Sequence, residues 1–368
     1  MIIMHIELDN LFAFKNFEMT LSYPKKLVGS TIENEFLNER PNFRYKKLVV
    51  LMGSNATGKT TLGEALMTIF NFIAKKNTSI ITEIINDTTK VATFSLDFVA
   101  NTKNLYRITT TIHPPKEKAS YHEEDIRVLV ASVPINTRDS YETCSSRLDA
   151  TKPTAESHLK ALESVEDFGW LFAYPSIEET LVSFKDIQDS RFQEILQTVL
   201  STLDNSIKEV VKAKEIKDSF IIKLGSHELI IQDGKILNGE MLSSGTRSGI
   251  GIAMMLAAII TKRNGFYYCD EKFSFIHSDL EKEILAKMLE KLDNNEQLFF
   301  TTHNMDILDM PLPKHSFVFL KKESVDGECR IRCINADAYL KRNTDSLRRA
   351  VENDLFSIAP NVNLIDRL

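Results

Sequence analysis

The chain has 368 residues, 43% of them hydrophobic and 26% charged, with a net charge of −6; this is the profile of a soluble globular protein of two or three lobes at about 100–200 residues each. The acidic balance argues against a protein coated in nucleic acid and leaves room for a local basic groove. There is no run of about 18 apolar residues to span a membrane, and the opening "MIIMHIELDN" lacks the basic region and small-residue cleavage site of a secretion signal.

In chain order, residues 1–20 read as a strand, a turn near Asn10 to Asn16 and a second strand. Residues 21–44 carry the breakers Pro24, Gly29 and Pro41 and read as an irregular excursion. Lys47 to Met52 is a short apolar, β-branched strand, followed by a glycine loop and a helix from about Thr60 to Ala74. Residues 91–112 alternate on both sides of "ANTKN", which predicts a hairpin with a polar tip. From Thr154 the texture is helical and amphipathic, in "AESHLKALESV" and "SRFQEILQTVLSTLDNSIKEVVKAK"; Phe192, Ile195, Leu196, Val199, Leu200 and Leu203 follow a 3.6-residue period. The cluster "FGWLFAYP" around Trp170 reads as the interior of this middle part or as a docking surface. Strand texture returns over 219–237. An apolar helix through Ile250 and Ile260, the strand "GFYYCDE", a helix from about Asp279 to Leu292, the strand "LFFTTHN" and a strand at "SFVFLKK" follow. Cys144, Cys269, Cys329 and Cys333 fit a reducing cytoplasm. On one strand face Cys329 and Cys333 lie about 13 Å apart at ~3.3 Å per residue, too far to share a zinc ion unless the chain turns, so they read as reduced structural thiols.

Three stretches carry chemistry. "GSNATGKT", from Gly53 through Ser54, Asn55, Ala56, Thr57, Gly58 and Lys59 to Thr60, with Thr61 next, matches the P-loop spacing between a strand and a helix. Its glycines let successive N–H groups turn toward phosphate oxygens, and the helix N-terminus adds positive field. Lys59, facing solvent without ligand, reaches the β- and γ-phosphates, and the Thr60 hydroxyl binds Mg²⁺. In "YYCDE", Asp270 at the strand end suits the Mg²⁺ shell, directly or through water, and Glu271 suits a base or water-orienting group. In "LFFTTHN", His303 stands at a strand tip where it can bond a γ-phosphate or the attacking water, against the plainer reading of a structural histidine.

A fourth stretch, "LSSGTRSG", opens the apolar helix with Ser243, Ser244 and Gly245. It is a second anion-binding helix start in a chain that already has one. Two such sites make sense if two chains face head to tail, each completing the other's nucleotide; Arg247 adds charge there or pairs with an acid.

The P-loop, "LSSGT", "YYCDE" and "TTH", in this order, resemble the ATP-binding-cassette fold, and "IELDNLFAFKNFEM" is similar to the opening strands of its SMC, RecF and OLD branch. The ending "NTDSLRRAVENDLFSIAP" resembles the tails of bacterial AAA-family ATPases encoded beside phage-defence or abortive-infection partners. The resemblance covers residues 1–112 and 225–368 well and the middle poorly. It implies an α/β, ABC-type P-loop ATPase fold with an N-terminal antiparallel β subdomain and an inserted mainly helical lobe. The expected spans are 1–112 (first half of the ATPase lobe), 113–224 (inserted lobe) and 225–368 (second half). Ser244 replaces the usual first glycine of the signature, no clear Q-loop glutamine follows "FSLDF", and His277 lies in the expected D-loop, "KFSFIHSDL", where packing or partner contact suits it better than catalysis.

The expected function is an ATP- and Mg²⁺-dependent ATPase switch. It is expected to form a homodimer through an ATP sandwich, with room for higher assembly, and to regulate a nucleic-acid-processing or anti-phage defence complex through a partner effector encoded nearby, in the cytoplasm and away from membranes. Nucleic acid itself is a further candidate partner: Lys321, Lys322, Arg348 and Arg349 are either solvated or touch it. The rivals are the ATP-binding subunit of a membrane transporter and a non-hydrolysing ATP-sensing scaffold.

Overall fold

A computed structural model describes residues 1–23, 30–100, 103–115, 120–152, 159–165, 169–174, 190–213, 219–225, 227–232, 235–237, 242–262, 264–325, 327–342 and 344–358. The chain divides into two compact units, the first of Met1–Phe168, Asn294–Gln297 and Pro311–Leu368, the second of Gly169–Asp293 and Leu298–Met310. No helix among the described residues is long and apolar enough to cross a membrane.

The first unit holds β1 (Ile2–Asp9), β2 (Phe17–Thr20), β3 (Phe36–Leu37), β4 (Arg40–Arg44), β5 (Leu48–Met52), α1 (Lys59–Lys75), α2 (Thr78–Thr82), β6 (Ala92–Val99), β7 (Asn104–Ile112), β8 (Ile126–Pro134) and α3 (Tyr141–Ala150). β16 (Phe317–Val325), β17 (Glu328–Asn335), α7 (Ala336–Tyr339) and α8 (Leu347–Glu352) complete it. Five strands make an antiparallel sheet in the order β2-β1-β6-β7-β8. Alternation decides its faces: in β1, Ile2, Met4, Ile6 and Leu8 are buried while Glu7 is exposed. On the polar face the Arg107 guanidinium donates to both oxygens of fully buried Asp97, at 2.6 and 2.7 Å, and Tyr141 of α3 donates to the same carboxylate at 2.8 Å. This network holds α3 against the sheet.

In the same unit β5 is flanked by β16, in parallel register, and β16 by β17, antiparallel. All five residues of β5 are buried, as a strand covered on both faces requires. α1 buries Leu62, Leu66, Ile69 and Ile73 along one stripe and ends at Lys76, which adopts φ 53°.

The second unit contains β9 (Trp170–Ala173), α4 (Ser190–Leu203), β10 (Ile207–Lys212), β11 (Ser219–Leu224), β12 (His227–Gln232), β13 (Lys235–Leu237), α5 (Ser244–Ile260), β14 (Phe266–Asp270), α6 (Ser278–Lys291) and β15 (Gln297–Thr301), the last from Leu298 on. β10 to β13 form an antiparallel meander. β14 lies between β15 and β9, and pairs with β9 in parallel. α4 packs on α5 at Gly249, where a Cβ would come within 2.3 Å of Leu203 Cδ1, so a side chain there would displace the Leu203 side chain.

The N-terminal antiparallel sheet, the strand before the glycine loop and the hairpin at 91–112 are as expected. Four readings need correction. The excursion over 21–44 contains the ribbon β3–β4. The helix expected to run on from Ser190 stops at Leu203: the Asp204 carboxylate accepts from Ser206 N at 2.9 Å and from its hydroxyl at 2.6 Å, turning the chain, and "IKEVVK" joins the ladder of β11 as β10. Of the helix expected in "AESHLKALESV", residues 155–158 lie outside the described residues and Leu159–Ser164 is a 3-10 turn. For the Trp170 cluster the interior reading holds and the docking surface does not: Leu171, Phe172 and Ala173 are buried and registered against Tyr267, Tyr268 and Cys269, with Phe172 stacked on Tyr268 at 5.6 Å. The span 113–224 therefore supplies strands β8 to β11 as well as helices, and the two units cut the chain differently from the three expected spans. Strand pairing outweighs helical texture because each strand satisfies backbone groups that would otherwise be buried unpaired.

Candidate nucleotide site

In the first unit, β5 delivers the chain into the loop Gly53–Gly58. Three of its residues have positive φ: Gly53 at 155°, Ala56 at 61° and Gly58 at 98°. A Cβ at Gly53 would sit 2.5 Å from the backbone oxygen of Leu320, so that position demands glycine for space, whereas at Gly58 the nearest atom is the movable end of Ile331, Cδ1 at 2.7 Å, and the left-handed φ is what favours glycine. Thr57 closes the loop, donating to Ser54 O at 2.8 Å. Asn55 and Ala56 are exposed at its crest, while Ser54, Thr60 and Thr61 are half-buried. α1 starts at Gly58 with no side chain capping it, so its first turn keeps backbone donors of the kind that take a phosphate group. Lys59 departs from expectation. It is 4% exposed, not solvent-facing, because its ammonium donates back to Gly53 O at 3.0 Å and Ser54 O at 3.3 Å. The loop thus wraps its own cation, and the donor set of curled backbone, uncapped helix start and central ammonium fits a polyphosphate.

In the second unit, β14 ends at Asp270, which is fully buried, and the chain turns at Glu271 with φ 41°. Thr301 joins the two acids: its hydroxyl donates to Asp270 Oδ1 at 2.7 Å and accepts from Glu271 N at 2.9 Å. His303 Nε2 lies 2.7 Å from Glu271 Oε1, with His303 39% and Glu271 25% exposed. Asp270, Glu271 and His303 are therefore brought together at adjacent strand ends, and only the outer pair meets solvent. Cys269, immediately before them, is a buried thiol pushed up to about 12 by desolvation. Lys272, after them, is 1% exposed and donates to Tyr174 O; it lies over Gly251, where a Cβ would meet Lys272 Cε at 2.2 Å.

The start of α5 is in the same unit. Ser243 caps it, its hydroxyl accepting from Thr246 N at 3.0 Å, and Thr246 in turn donates to Asp204 at 3.3 Å. Ser243 and Ser244 are exposed and Gly245 half-buried, with Phe275 O 2.9 Å from where a Cβ on Gly245 would stand. Arg247 is exposed and makes no ion pair among the described residues. His277 caps α6, accepting from Asp279 N at 3.3 Å. Thr301 was not singled out in the sequence. A hydroxyl residue closing the strand that carries the histidine was the available signal, but its partner acids lie on another strand.

Fold and loop together define a P-loop protein with the fold of an SMC head. The SMC head in a crystal structure with the C-winged helix domain of ScpA matches with a TM-score of 0.51 and 13% identity, over 92% of this chain and 100% of that one. The SMC head domain from Thermotoga maritima matches with a TM-score of 0.43 and 14% identity, over 90% and 98%. The chain belongs to the family described as "AAA domain, putative AbiEii toxin, Type IV TA system", which matches residues 48–309. It is also 27% identical over 114 residues to the uncharacterized protein MJECL11 of Methanocaldococcus jannaschii, over 30% of this chain and 85% of that protein.

Proposed function

We propose that this chain binds and hydrolyses ATP as a cytoplasmic switch. Two copies close head to tail around ATP, hydrolysis reopens them, and the cycle regulates a nucleic-acid-processing or anti-phage defence complex. The observation that carries the hydrolytic reading is the Glu271–His303 pair at 2.7 Å beside buried Asp270. In this reading the backbone of Gly53–Thr61 and Lys59 hold the phosphates, and Thr60 and Asp270 hold Mg²⁺, which supplies charge neutralisation. Glu271 orients or deprotonates water, and His303 fixes the Glu271 carboxylate and bonds the γ-phosphate. The pairing favours turnover over a scaffold that only senses ATP.

Ser243, Ser244 and Gly245 of one copy meet the γ-phosphate held by the other. The exposure of both serines, and of Phe275 at 64%, supports that role. The residues of 113–224, or a protein partner encoded nearby, sense closure. The SMC head neighbour is itself bound to a winged-helix domain of ScpA, and a protein partner of this chain is proposed by that analogy. Measuring ATP turnover alongside light scattering, with and without Mg²⁺·ATP, tests the reading. Turnover absent under conditions that produce dimers would leave only the sensing scaffold.

A further inference from the structure

The segment that carries His303 is held from both sides by one carboxylate. Glu281, in the first turn of α6 and 3% exposed, accepts from Thr302 Oγ1 at 2.7 Å and from Asn304 Nδ2 at 2.6 Å. Asn304 N donates to Thr302 Oγ1 at 3.0 Å, and Asn304 Nδ2 also donates to Ser278 Oγ at 2.9 Å. Ser278 donates to Asp306 at 2.6 Å. The neighbours of His303 on either side are thus fixed to the first turn of α6, while the His303 imidazole projects to Glu271. That same turn is where the loop leaving Glu271 ends, with His277 as its cap. One helical turn therefore sets the position of the segment that carries His303.

We propose that Glu281 is a positioning residue for the active site: by clamping Thr302 and Asn304 it places His303 against Glu271. The proposal rests on the reading of His303 as a catalytic residue. A carboxylate this buried carries a desolvation cost, seen in a pKa raised by burial, and its two strong donors offset it. A side chain needed only to fill this space would serve as well without charge. Losing the clamp frees the His303 segment without touching Lys59 or the loop Gly53–Gly58, so the effect belongs on the chemical step and not on nucleotide binding.

The test uses the full chain as wild type, Glu281→Ala, His303→Ala and the double variant, with Glu283→Ala, an exposed α6 acid, as control. Glu281→Ala is expected to lower kcat by about 10- to 100-fold with KM for ATP within about twofold. It is expected to add no further loss in the His303→Ala background, because residues acting through one another are not additive. Glu281→Gln with Asn304→Asp reverses the donor and acceptor across one of the two bonds, gives up the Asn304 bond to Ser278, and should recover at least about threefold of the kcat lost in Glu281→Ala. A kcat unchanged by Glu281→Ala, or losses that multiply with His303→Ala, would overturn the proposal.

A second readout is independent of turnover. In histidine-labelled protein the His303 imidazole signal, identified by its disappearance in His303→Ala, should move in Glu281→Ala and return in the paired Gln/Asp variant. Should Glu281→Ala fail to fold, Glu281→Gln, which keeps the volume and breaks one bond, takes its place in this spectrum. Lack of wild-type turnover, or full activity in His303→Ala, would remove the catalytic reading; the imidazole signal would still decide the positioning, and an unmoved signal would sink it.

Discussion

Glu271 Oε1 and His303 Nε2 meet at 2.7 Å, with Glu271 held in the left-handed region at φ 41° and its N–H bonded to Thr301. A non-glycine residue in this conformation costs on the order of 1 kcal/mol or more. The bond to Thr301 and the pairing with His303 hold it there. The side chain that results is half-buried, oriented and next to a fully buried aspartate.

Glu271→Gln preserves this shape and removes the carboxylate charge. ATP binding is expected to be unchanged and turnover to fall by about 100-fold or more, the usual scale of a lost base. A dimer trapped with ATP should accumulate, visible as doubled mass by light scattering. Wild-type turnover in this variant would transfer the catalytic role elsewhere, with His303 the next candidate.

Lys59→Ala is expected to weaken ATP binding by at least about 100-fold, equivalent to ~3 kcal/mol for a lost charge-assisted contact. Because Lys59 also bonds Gly53 O and Ser54 O within the loop, the unliganded protein should lose about 1 kcal/mol of stability while keeping its fold. Calorimetric titration that returned the wild-type affinity would end the phosphate-loop assignment.

Ser244→Arg separates one copy's site from the other's. Ser244 is exposed at the start of α5 and lies in a different unit from Lys59. The variant should bind ATP normally, fail to close, and lose turnover. Mixed with Lys59→Ala, it forms heterodimers in which one composite site carries both defects and the other neither. Closure, and some turnover unless both sites must fire together, should then return. If neither recovers in verified heterodimers, the shared site is wrong and Ser243 is only the helix cap that its bond to Thr246 N already makes it.

Thiol chemistry checks the fold without nucleotide. Cys144 and Cys269 are buried, with thiols pushed up to about 11 and about 12 by desolvation; Cys333 is half-exposed as a residue, yet its thiol is likewise pushed up to about 12, while Cys329 is exposed. Native protein should show one fast-reacting thiol toward a disulfide reagent, removed by Cys329→Ser, and four after denaturation. Fast labelling of Cys269 in native protein would contradict β14 as a buried strand.

Much of this protein is written locally. The loop Gly53–Gly58 is legible because φ 98° at Gly58 and the approach of the Leu320 backbone to Gly53 both favour glycine, and its spacing with Lys59 is a property of neighbouring residues. The hairpin β6–β7 and the caps of α5 and α6 follow from alternation and from side chains that bond backbone groups two or three residues away. Distance in the chain decided the rest. "WLFA" is a strand because β14, far downstream, offers it a parallel edge. "IKEVVK" continues a helical period on paper and is a strand because β11 pairs with it. Thr301 bridging Asp270 and Glu271, and Glu281 clamping both sides of His303, are each set by groups whose approach depends on tertiary packing. Periodicity records which face of a segment is apolar; it carries no information about which donor meets which acceptor once segments remote in sequence come within 3 Å, the range at which hydrogen bonds choose their partners.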